Sequence, residues 1–130
     1  MKNKTPVRSL LISTLLAVAA PSYAGSAMQM WKCEMDDDAT EQGIKEYASK
    51  WLAAAKKLNG GEGLQAYVNF PVAVNDMGET DLTFVVIAPN FEAWGKFWDA
   101  YGDSELAVMD DKNDDVICPD SAVWESFPVK

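Results

Sequence analysis

The 130-residue chain contains no histidine, and its single arginine is Arg8, close to the amino terminus. Without imidazole, the chain lacks the side chain that most often moves protons near neutral pH and that most often ligates haem iron and zinc. The sequence also contains no phosphate loop, dinucleotide fingerprint, zinc-ligand spacing or nucleophile elbow. These absences exclude histidine-dependent catalysis and histidine-ligated haem. We therefore predict no cofactor, no metal and no identifiable catalytic residue.

The first 24 residues have the pattern of a bacterial-type export signal. Lys2, Lys4 and Arg8 form a positive segment, residues 10–20 are almost uniformly apolar, and small residues precede a cleavage position after Ala24. The apolar run is too short to span a bilayer comfortably, and no later segment approaches that length. We expect residues 1–24 to be a cleaved signal peptide. Residues 25–130 then form a single domain in the periplasm or outside the cell.

Positive charge is scarce in the chain that remains after this cleavage. The full sequence has 11 basic and 20 acidic residues, and three of the basic ones lie in the signal, which leaves eight lysines and a net charge of −12. Such a surface repels nucleic acid and anionic membranes, and it has no guanidinium group to clamp a phosphate. We expect no nucleic-acid partner and no membrane span, and we interpret the acidic surface as a source of solubility.

Cysteine is almost absent as well, since Cys33 and Cys118 are the only two. Exported proteins usually pair their cysteines, and two cysteines without any histidine make a poor metal site. A redox-active pair would more often be a close Cys-x-x-Cys motif. The sequence therefore predicts a structural disulfide between Cys33 and Cys118.

Hydrophobic periodicity predicts two successive strand–helix–strand units. Strands are expected over residues 27–35, 63–74, 82–88 and 122–129, and helices over residues 38–58 and 91–101, with a short helix around residues 104–109. Asp38 is the expected N-cap of the first helix, with Glu41 completing a capping box. Pro71 predicts that the second strand lies at an edge, whereas the third strand is apolar on both faces and should be central.

Aromatic residues in the second helix recur at three- and four-residue steps. We interpret Phe91, Trp94, Trp98 and Tyr101 as one buried core stripe, in preference to a ligand site.

A short acidic segment, residues 110–115, follows the predicted third helix. Asp111, Asn113 and Asp115 resemble half of a calcium loop, but the glycine and the closing glutamate of such a loop are missing. We interpret this segment as a solvated acidic loop, so cation scavenging is the least favoured function.

Two strand–helix–strand units in succession are the plan of the ferredoxin-like α+β fold, an antiparallel four-stranded sheet with both helices on one face. In this plan the last strand runs beside the first, which brings Cys118 close to Cys33. The other face of the sheet would carry Val85, Ile87 and Trp124. Such a face is too apolar to be left in water, so a partner should cover it.

With these features, the chain resembles the dimeric α+β barrel superfamily, which includes antibiotic-biosynthesis-monooxygenase-like and EthD-like domains. The resemblance rests on topology and aromatic pattern over the whole mature chain. It implies a homodimer whose two sheets pack face to face, and a cavity for a small ligand. The residues of suitable type and position for that cavity are Lys32, Tyr67, Asn69, Thr83 and Trp124.

These observations favour an exported dimeric domain that binds a small apolar or aromatic molecule or has a structural role. The alternative is a cofactor-independent monooxygenase or isomerase of the dimeric barrel type, with proton transfer by Glu34, Tyr67 or Lys32. For Tyr67 and Trp124, packing in a dimer interface is the competing interpretation, because aromatic residues are enriched there.

Overall fold

The structure, a computed structural model, describes residues 25–129. In chain order these residues form β1 (Ser26–Met35), α1 (Glu41–Ala55), β2 (Gln65–Asn69), β3 (Leu82–Ala88), α2 (Phe91–Tyr101), α3 (Glu105–Asp111) and β4 (Val116–Ser126). The predicted signal peptide lies outside the described residues. Among residues 25–129, no helix combines the length and apolar character needed to cross a membrane.

The four strands form one antiparallel sheet in the order β2-β3-β1-β4. This is the strand order of the ferredoxin-like fold, so the predicted α+β class is confirmed. β3 lies inside the sheet, as its two apolar faces predicted. β2 lies at an edge and ends before Pro71, whose missing N–H could not continue the ladder.

All three helices cover the same face of the sheet, which we call the helix face. Ala27 of β1 and Val86 of β3 are buried in one cluster with Trp51 of α1, Phe97 of α2 and Leu106 of α3. Each large apolar side chain in this cluster contributes roughly 1.5–3 kcal/mol by leaving water. The opposite face, which we call the open face, carries no helix in the described part of the chain.

The start of α1 differs from the prediction. Its N-cap is Thr40, whose Oγ1 accepts a hydrogen bond from the Gly43 N–H at 3.1 Å. The predicted cap, Asp38, lies in the preceding turn, where its N–H donates to Asp36 Oδ1 at 3.1 Å. Glu41 is therefore the first helical residue, and its negative charge lies at the positive end of the helix.

The aromatic stripe predicted in α2 is correct for three of its four members. Trp94, Trp98 and Tyr101 pack against the core, but Phe91, the first residue of the helix, is 43% exposed. The fully buried side chain of α2 is Phe97. Phe97 stands three residues after Trp94 and four before Tyr101, so it satisfies the same helical spacing.

β4 begins earlier than predicted. It spans Val116–Ser126, whereas the hydrophobic pattern indicated residues 122–129. Pro119 interrupts the apolar pattern and usually argues against a strand. Because β4 is an edge strand, its ladder tolerates a residue without an N–H, and the strand continues through it.

The two cysteines meet where β1 and β4 pair. The Cys33 and Cys118 sulfur atoms are 2.03 Å apart, so the predicted pair is confirmed at disulfide distance. The β1–β4 register shifts between Lys32 and Glu34, and this bulge lies beside the cysteines.

Candidate functional site

A cavity of about 300 Å³ lies between the helices and the helix face of the sheet. All three helices and all four strands contribute to its wall. The lining residues are Trp31, Cys33, Ile44, Tyr47, Ala48, Trp51, Val68, Leu82, Phe84, Trp98, Tyr101, Asp110, Asn113, Val116 and Cys118. The volume is at the lower end of the range for small-molecule sites, which is about 300–1,000 Å³.

Six aromatic rings form much of the cavity wall, and those in contact are tilted against each other. The ring centroids of Trp98 and Tyr101 are 4.9 Å apart at 66° between planes, and those of Trp31 and Trp98 are 5.8 Å apart at 60°. Trp51 meets Phe84 edge-on at 85°, with centroids 5.3 Å apart. Such edge-to-face pairs are favourable arrangements for aromatic rings, so they hold the wall in a defined shape.

Asp110 is the polar centre of the cavity and the one charged side chain in its described wall. Its Oδ1 accepts a hydrogen bond from the Tyr47 hydroxyl. Its Oδ2 accepts from the Tyr101 hydroxyl at 2.5 Å and from the Trp51 indole N–H at 3.0 Å. Donors from α1 and α2 thus converge on one carboxylate from α3, and Asp110 is the acceptor in each of the three hydrogen bonds.

The two tyrosine hydroxyls are held in their protonated form. Burial raises the pKa of Tyr47 far above its ordinary value of 10.0, and the hydrogen bond to Asp110 raises it further. The same two causes, in the same order, raise the pKa of Tyr101. Both hydroxyls are therefore hydrogen-bond donors at neutral pH and are poor candidates for a catalytic base.

The sequence contained part of the signal for this cluster. Tyr47 and Trp51 are four residues apart on one face of α1, and both side chains need a polar partner when buried. The sequence pattern places Asp110 in the solvated acidic loop, but Asp110 lies within α3, which extends beyond its predicted end at residue 109. The helical spacing of Tyr47 and Trp51 therefore indicates that a hydrogen-bond acceptor lies near them, but it does not identify the residue that supplies it.

The five residues predicted to line a ligand cavity all lie on the open face. Asn69, Thr83 and Lys32 are neighbours in one cross-strand row, and Asn69 Nδ2 donates to Thr83 Oγ1 at 3.1 Å. Tyr67 lies in the next row on this face and Trp124 in the row after that, and they are 49% and 54% exposed. None of the five lines the 300 Å³ cavity on the helix face. A cavity at these residues needs a second layer over the open face and stays a prediction.

The centre of the open face is apolar. Two adjoining cross-strand rows place Tyr67, Val85 and Met30 side by side, and Ile87, Met28 and Trp124 next to them. Val85 is only 5% exposed, because its longer neighbours shield it. Within these two rows, the most exposed large apolar side chains are therefore at the two edges of the sheet, Tyr67 and Trp124.

The acidic residues of the described chain do not gather into a metal site. Within residues 25–129, no group of three or more histidine, cysteine, aspartate or glutamate side chains could hold a metal ion.

Comparison with known proteins adds information on the fold. Neither a protein-family model nor a curated protein matches the chain. Among solved structures, the crystal structure of At3g17210 from Arabidopsis thaliana superimposes with a TM-score of 0.54 at 12% identity, covering 82% of this chain and 98% of that one. These are likenesses of fold alone.

Two further structures have similar coverage of this chain. The solution structure of the same Arabidopsis thaliana protein, described as hypothetical, gives a TM-score of 0.50 at 14% identity, over 82% of this chain and 92% of that one. A mutant chlorite dismutase from Candidatus Nitrospira defluvii gives 0.43 at 13% identity, over 82% of this chain and 42% of that one. The Arabidopsis thaliana protein thus shares the fold of this chain at only 12–14% sequence identity.

Proposed function

We propose that the protein binds a small, largely apolar molecule in the cavity between the helices and the sheet. The observation that supports this most directly is an aromatic-lined space of about 300 Å³ with a single polar centre at Asp110. Small-molecule sites typically have this composition, because an apolar wall supplies affinity and a few fixed polar groups supply orientation.

Trp98 gives further support. Its indole N–H is buried and has no hydrogen-bond partner within residues 25–129, although the ring lines the cavity. A buried donor without a partner costs about 1–3 kcal/mol. Because the N–H itself has no accessible surface towards the cavity, a ligand oxygen could remove that cost only if the Trp98 ring moved on binding.

Binding without catalysis is favoured by the chemistry of the cavity. The raised pKa values of Tyr47 and Tyr101 keep their hydroxyls protonated. The residues considered for proton transfer, Glu34, Tyr67 and Lys32, do not line this cavity. A cofactor-independent monooxygenase or isomerase would have to use Asp110, which is already held by three donors.

We also propose that two copies of the chain pair through their open faces. The apolar rows between Tyr67 and Trp124 support this, since an exposed apolar sheet face is a typical dimer interface. A second sheet would enclose a further space lined by Lys32, Tyr67, Asn69, Thr83 and Trp124. Ligand binding there is the second location that we propose to test.

Export from the cytoplasm is part of the same proposal. The cysteine pair at disulfide distance supports it, because disulfides persist in oxidising compartments. Expression of the full chain in a bacterial host, followed by mass measurement of the periplasmic product, should give residues 25–130. An intact amino terminus in the cytoplasm would contradict the proposed cleavage after Ala24.

Filling the cavity tests the binding function. Ala48 lines the cavity, so Ala48→Phe should occupy part of it, at a cost of about 1–3 kcal/mol from overpacking. Ala53→Phe, on the exposed side of the same helix, is the matched control. Thermal unfolding would be followed with indole, toluene and tert-butylbenzene as probes.

We expect at least one probe to raise the melting temperature of the wild type and of Ala53→Phe, and not that of Ala48→Phe. Replacement of Asn69 and Tyr67 by alanine would show whether the open face takes part. Equal responses from Ala48→Phe and the wild type would place binding elsewhere and contradict the helix-face site.

A further inference from the structure

We propose that the ligand of the helix-face cavity is an organic monocation, such as a substituted ammonium ion, an inference that rests on the proposed binding function. The Asp110 carboxylate is the charged group of the cavity wall, and Tyr47, Trp51 and Tyr101 bind it as neutral donors. Neutral donors stabilise a carboxylate, but its negative charge remains. The Asp110 side chain is half-buried in the cavity wall, so water and salt screen its interaction with a charge in the cavity less than they would on an exposed surface.

The described protein does not supply this opposite charge. Within residues 25–129 the ion pairs are Lys45 with Glu41 and Lys96 with Glu92, both between exposed side chains on helix surfaces. No lysine lines the cavity, and this part of the chain contains no arginine or histidine. The position opposite Asp110 is therefore left for a cationic ligand.

Aromatic side chains supply the second element of cation recognition. The face of an aromatic ring attracts a cation within about 6 Å of the ring centroid, and tryptophan is the most effective ring. Three tryptophans, Trp31, Trp51 and Trp98, line this one cavity. Neighbouring rings in this wall are inclined at 60° and 66° to each other, so they do not form a flat stack. Such a wall suits an ion with a bulky apolar surface.

Other ligand classes match these features less well. A carboxylate or phosphate would bring negative charge towards Asp110, with no cation in the wall to balance it. Calcium takes about six to eight oxygen ligands, and the side chains of the wall offer chiefly Asp110 and Asn113 for that purpose. A neutral aromatic molecule would fit the shape and leave the charge unbalanced.

Asp110 also keeps capacity for a direct contact. An ionised carboxylate has about four acceptor positions, and three are used by the protein. A ligand N–H could take the remaining position, whereas a quaternary ammonium ion would pair through its charge and through the ring faces. Both kinds of ion share the positive charge on which the proposal depends.

Three probes of similar size test the proposal. Phenyltrimethylammonium carries the positive charge, tert-butylbenzene is its uncharged isostere, and benzoate carries negative charge. Their affinities for the wild-type protein would be measured by quenching of tryptophan fluorescence. We expect the cation to bind at least about tenfold more tightly than the isostere, which corresponds to about 1.4 kcal/mol, and we expect benzoate not to bind.

Two matched variants locate the source of this preference. Asp110→Asn should lower the affinity for the cation by about tenfold more than the affinity for tert-butylbenzene, again about 1.4 kcal/mol. Asp111→Asn removes one exposed carboxylate from the same helix and should leave both affinities unchanged. Near-ultraviolet circular dichroism would establish that both variants are folded. Should Asp110→Asn not fold, the ratio of the two wild-type affinities decides.

The possible outcomes separate this inference from the proposed function. Equal affinities for the cation and its isostere would overturn the cation inference and leave a small-molecule site in place. A preference for the cation that survives in Asp110→Asn would overturn it as well, because the attraction would then come from the acidic surface in general. Failure of every probe to bind would count against both the inference and the binding function.

Discussion

Asp110 connects three helices through one side chain. It belongs to α3, and it accepts hydrogen bonds from Tyr47 and Trp51 of α1 and from Tyr101 of α2. A buried tyrosine or tryptophan usually needs a partner for its polar atom, and here one carboxylate serves three of them. In such a network, removal of the shared acceptor affects all donors at once.

The tyrosines of this cluster should make the protein sensitive to alkali. In the folded chain, burial and Asp110 raise the pKa of Tyr47 and Tyr101 above the ordinary 10.0 at which the unfolded chain deprotonates. Their contribution to stability is therefore complete below pH 10 and is lost as the pH rises above it. Urea denaturation at pH values between about 9 and 11 should show a falling free energy of unfolding.

A tyrosine on the other side of the sheet is the control for this experiment. Tyr101→Phe should make the alkaline decline shallower, because one of the two titrating groups is gone. Tyr67→Phe should leave it unchanged, since Tyr67 lies on the open face and is 49% exposed. A decline equally steep in Tyr101→Phe and in the wild type would contradict this account.

The sequence predicted which aromatic residues are buried better than it predicted what they bind. Helical spacing alone places Tyr47 and Trp51 on the inner face of α1, because that spacing is a local property. The partner of both is Asp110, 63 and 59 residues further along the chain. Such a contact depends on how α3 packs against α1, and no short-range pattern specifies that packing.

The loop after α1 approaches α2 closely at Gly60. This glycine has φ of +84°, and a Cβ atom there would lie 2.5 Å from the Ala93 carbonyl oxygen and 2.6 Å from the Phe97 nitrogen. Both its backbone conformation and its surroundings therefore require glycine.

A second glycine separates the effect of the positive φ from the effect of the close approach to α2. Gly78 also has positive φ, +60°, but nothing lies within 4 Å of its Cβ position. We expect Gly78→Ala to cost about 1–2 kcal/mol from the backbone alone, and Gly60→Ala to cost about 2–4 kcal/mol because overlap with α2 is added. Chemical denaturation measures both values. Equal losses would show that the close approach to α2 contributes nothing to stability.

The cysteine pair joins two strands that are far apart in sequence. Because Cys33 and Cys118 are 85 positions apart in the chain, the crosslink restricts the unfolded chain strongly, and the chain-entropy model gives about 4.5 kcal/mol for a loop of this length. The double variant Cys33→Ala/Cys118→Ala should have a free energy of unfolding that is lower by about this amount, as measured by urea denaturation. A reductant should lower the stability of the wild type and leave the double variant unaffected. An unchanged wild type in reductant would contradict a disulfide.

The sequence predicts the type and order of the helices and strands well, but it predicts the residues at which they begin and end less well. Periodicity over several residues identified each helix and strand, because burial of one face imposes it. Asp38 and Thr40 are both good N-cap residues, and only the path of the turn after β1 selects Thr40. The extent of β4 through Pro119 depends on its position at the edge, which is a property of the whole sheet.

The molecule as a whole has two faces with different roles. The helix face is covered by helices of its own chain, whereas the open face carries no helix within residues 25–129 and is the face that we propose a second copy covers. If two copies pair there, Tyr67→Lys/Trp124→Lys should yield a monomer, since two buried charges would oppose association. Val108→Lys is the control, because Val108 is 51% exposed and belongs to α3 on the other side.

Light scattering coupled to size-exclusion chromatography would measure the masses. We expect dimers for the wild type and for Val108→Lys, and a folded monomer for the double variant. A monomeric wild type over the accessible concentration range would contradict the proposed pairing.

The helix-face cavity takes part of its wall from every helix and every strand of the described domain. Only a chain in which every helix and strand is folded can therefore hold a molecule in this cavity, and loss of any one of these elements removes the site. Occupancy then raises the free energy of unfolding of the entire domain by RT ln(1 + [L]/Kd) at free ligand concentration [L], and this stabilisation protects the domain from proteases. If the proposed ligand binds in this cavity, the lifetime of the protein in the presence of proteases would consequently rise and fall with the supply of that ligand.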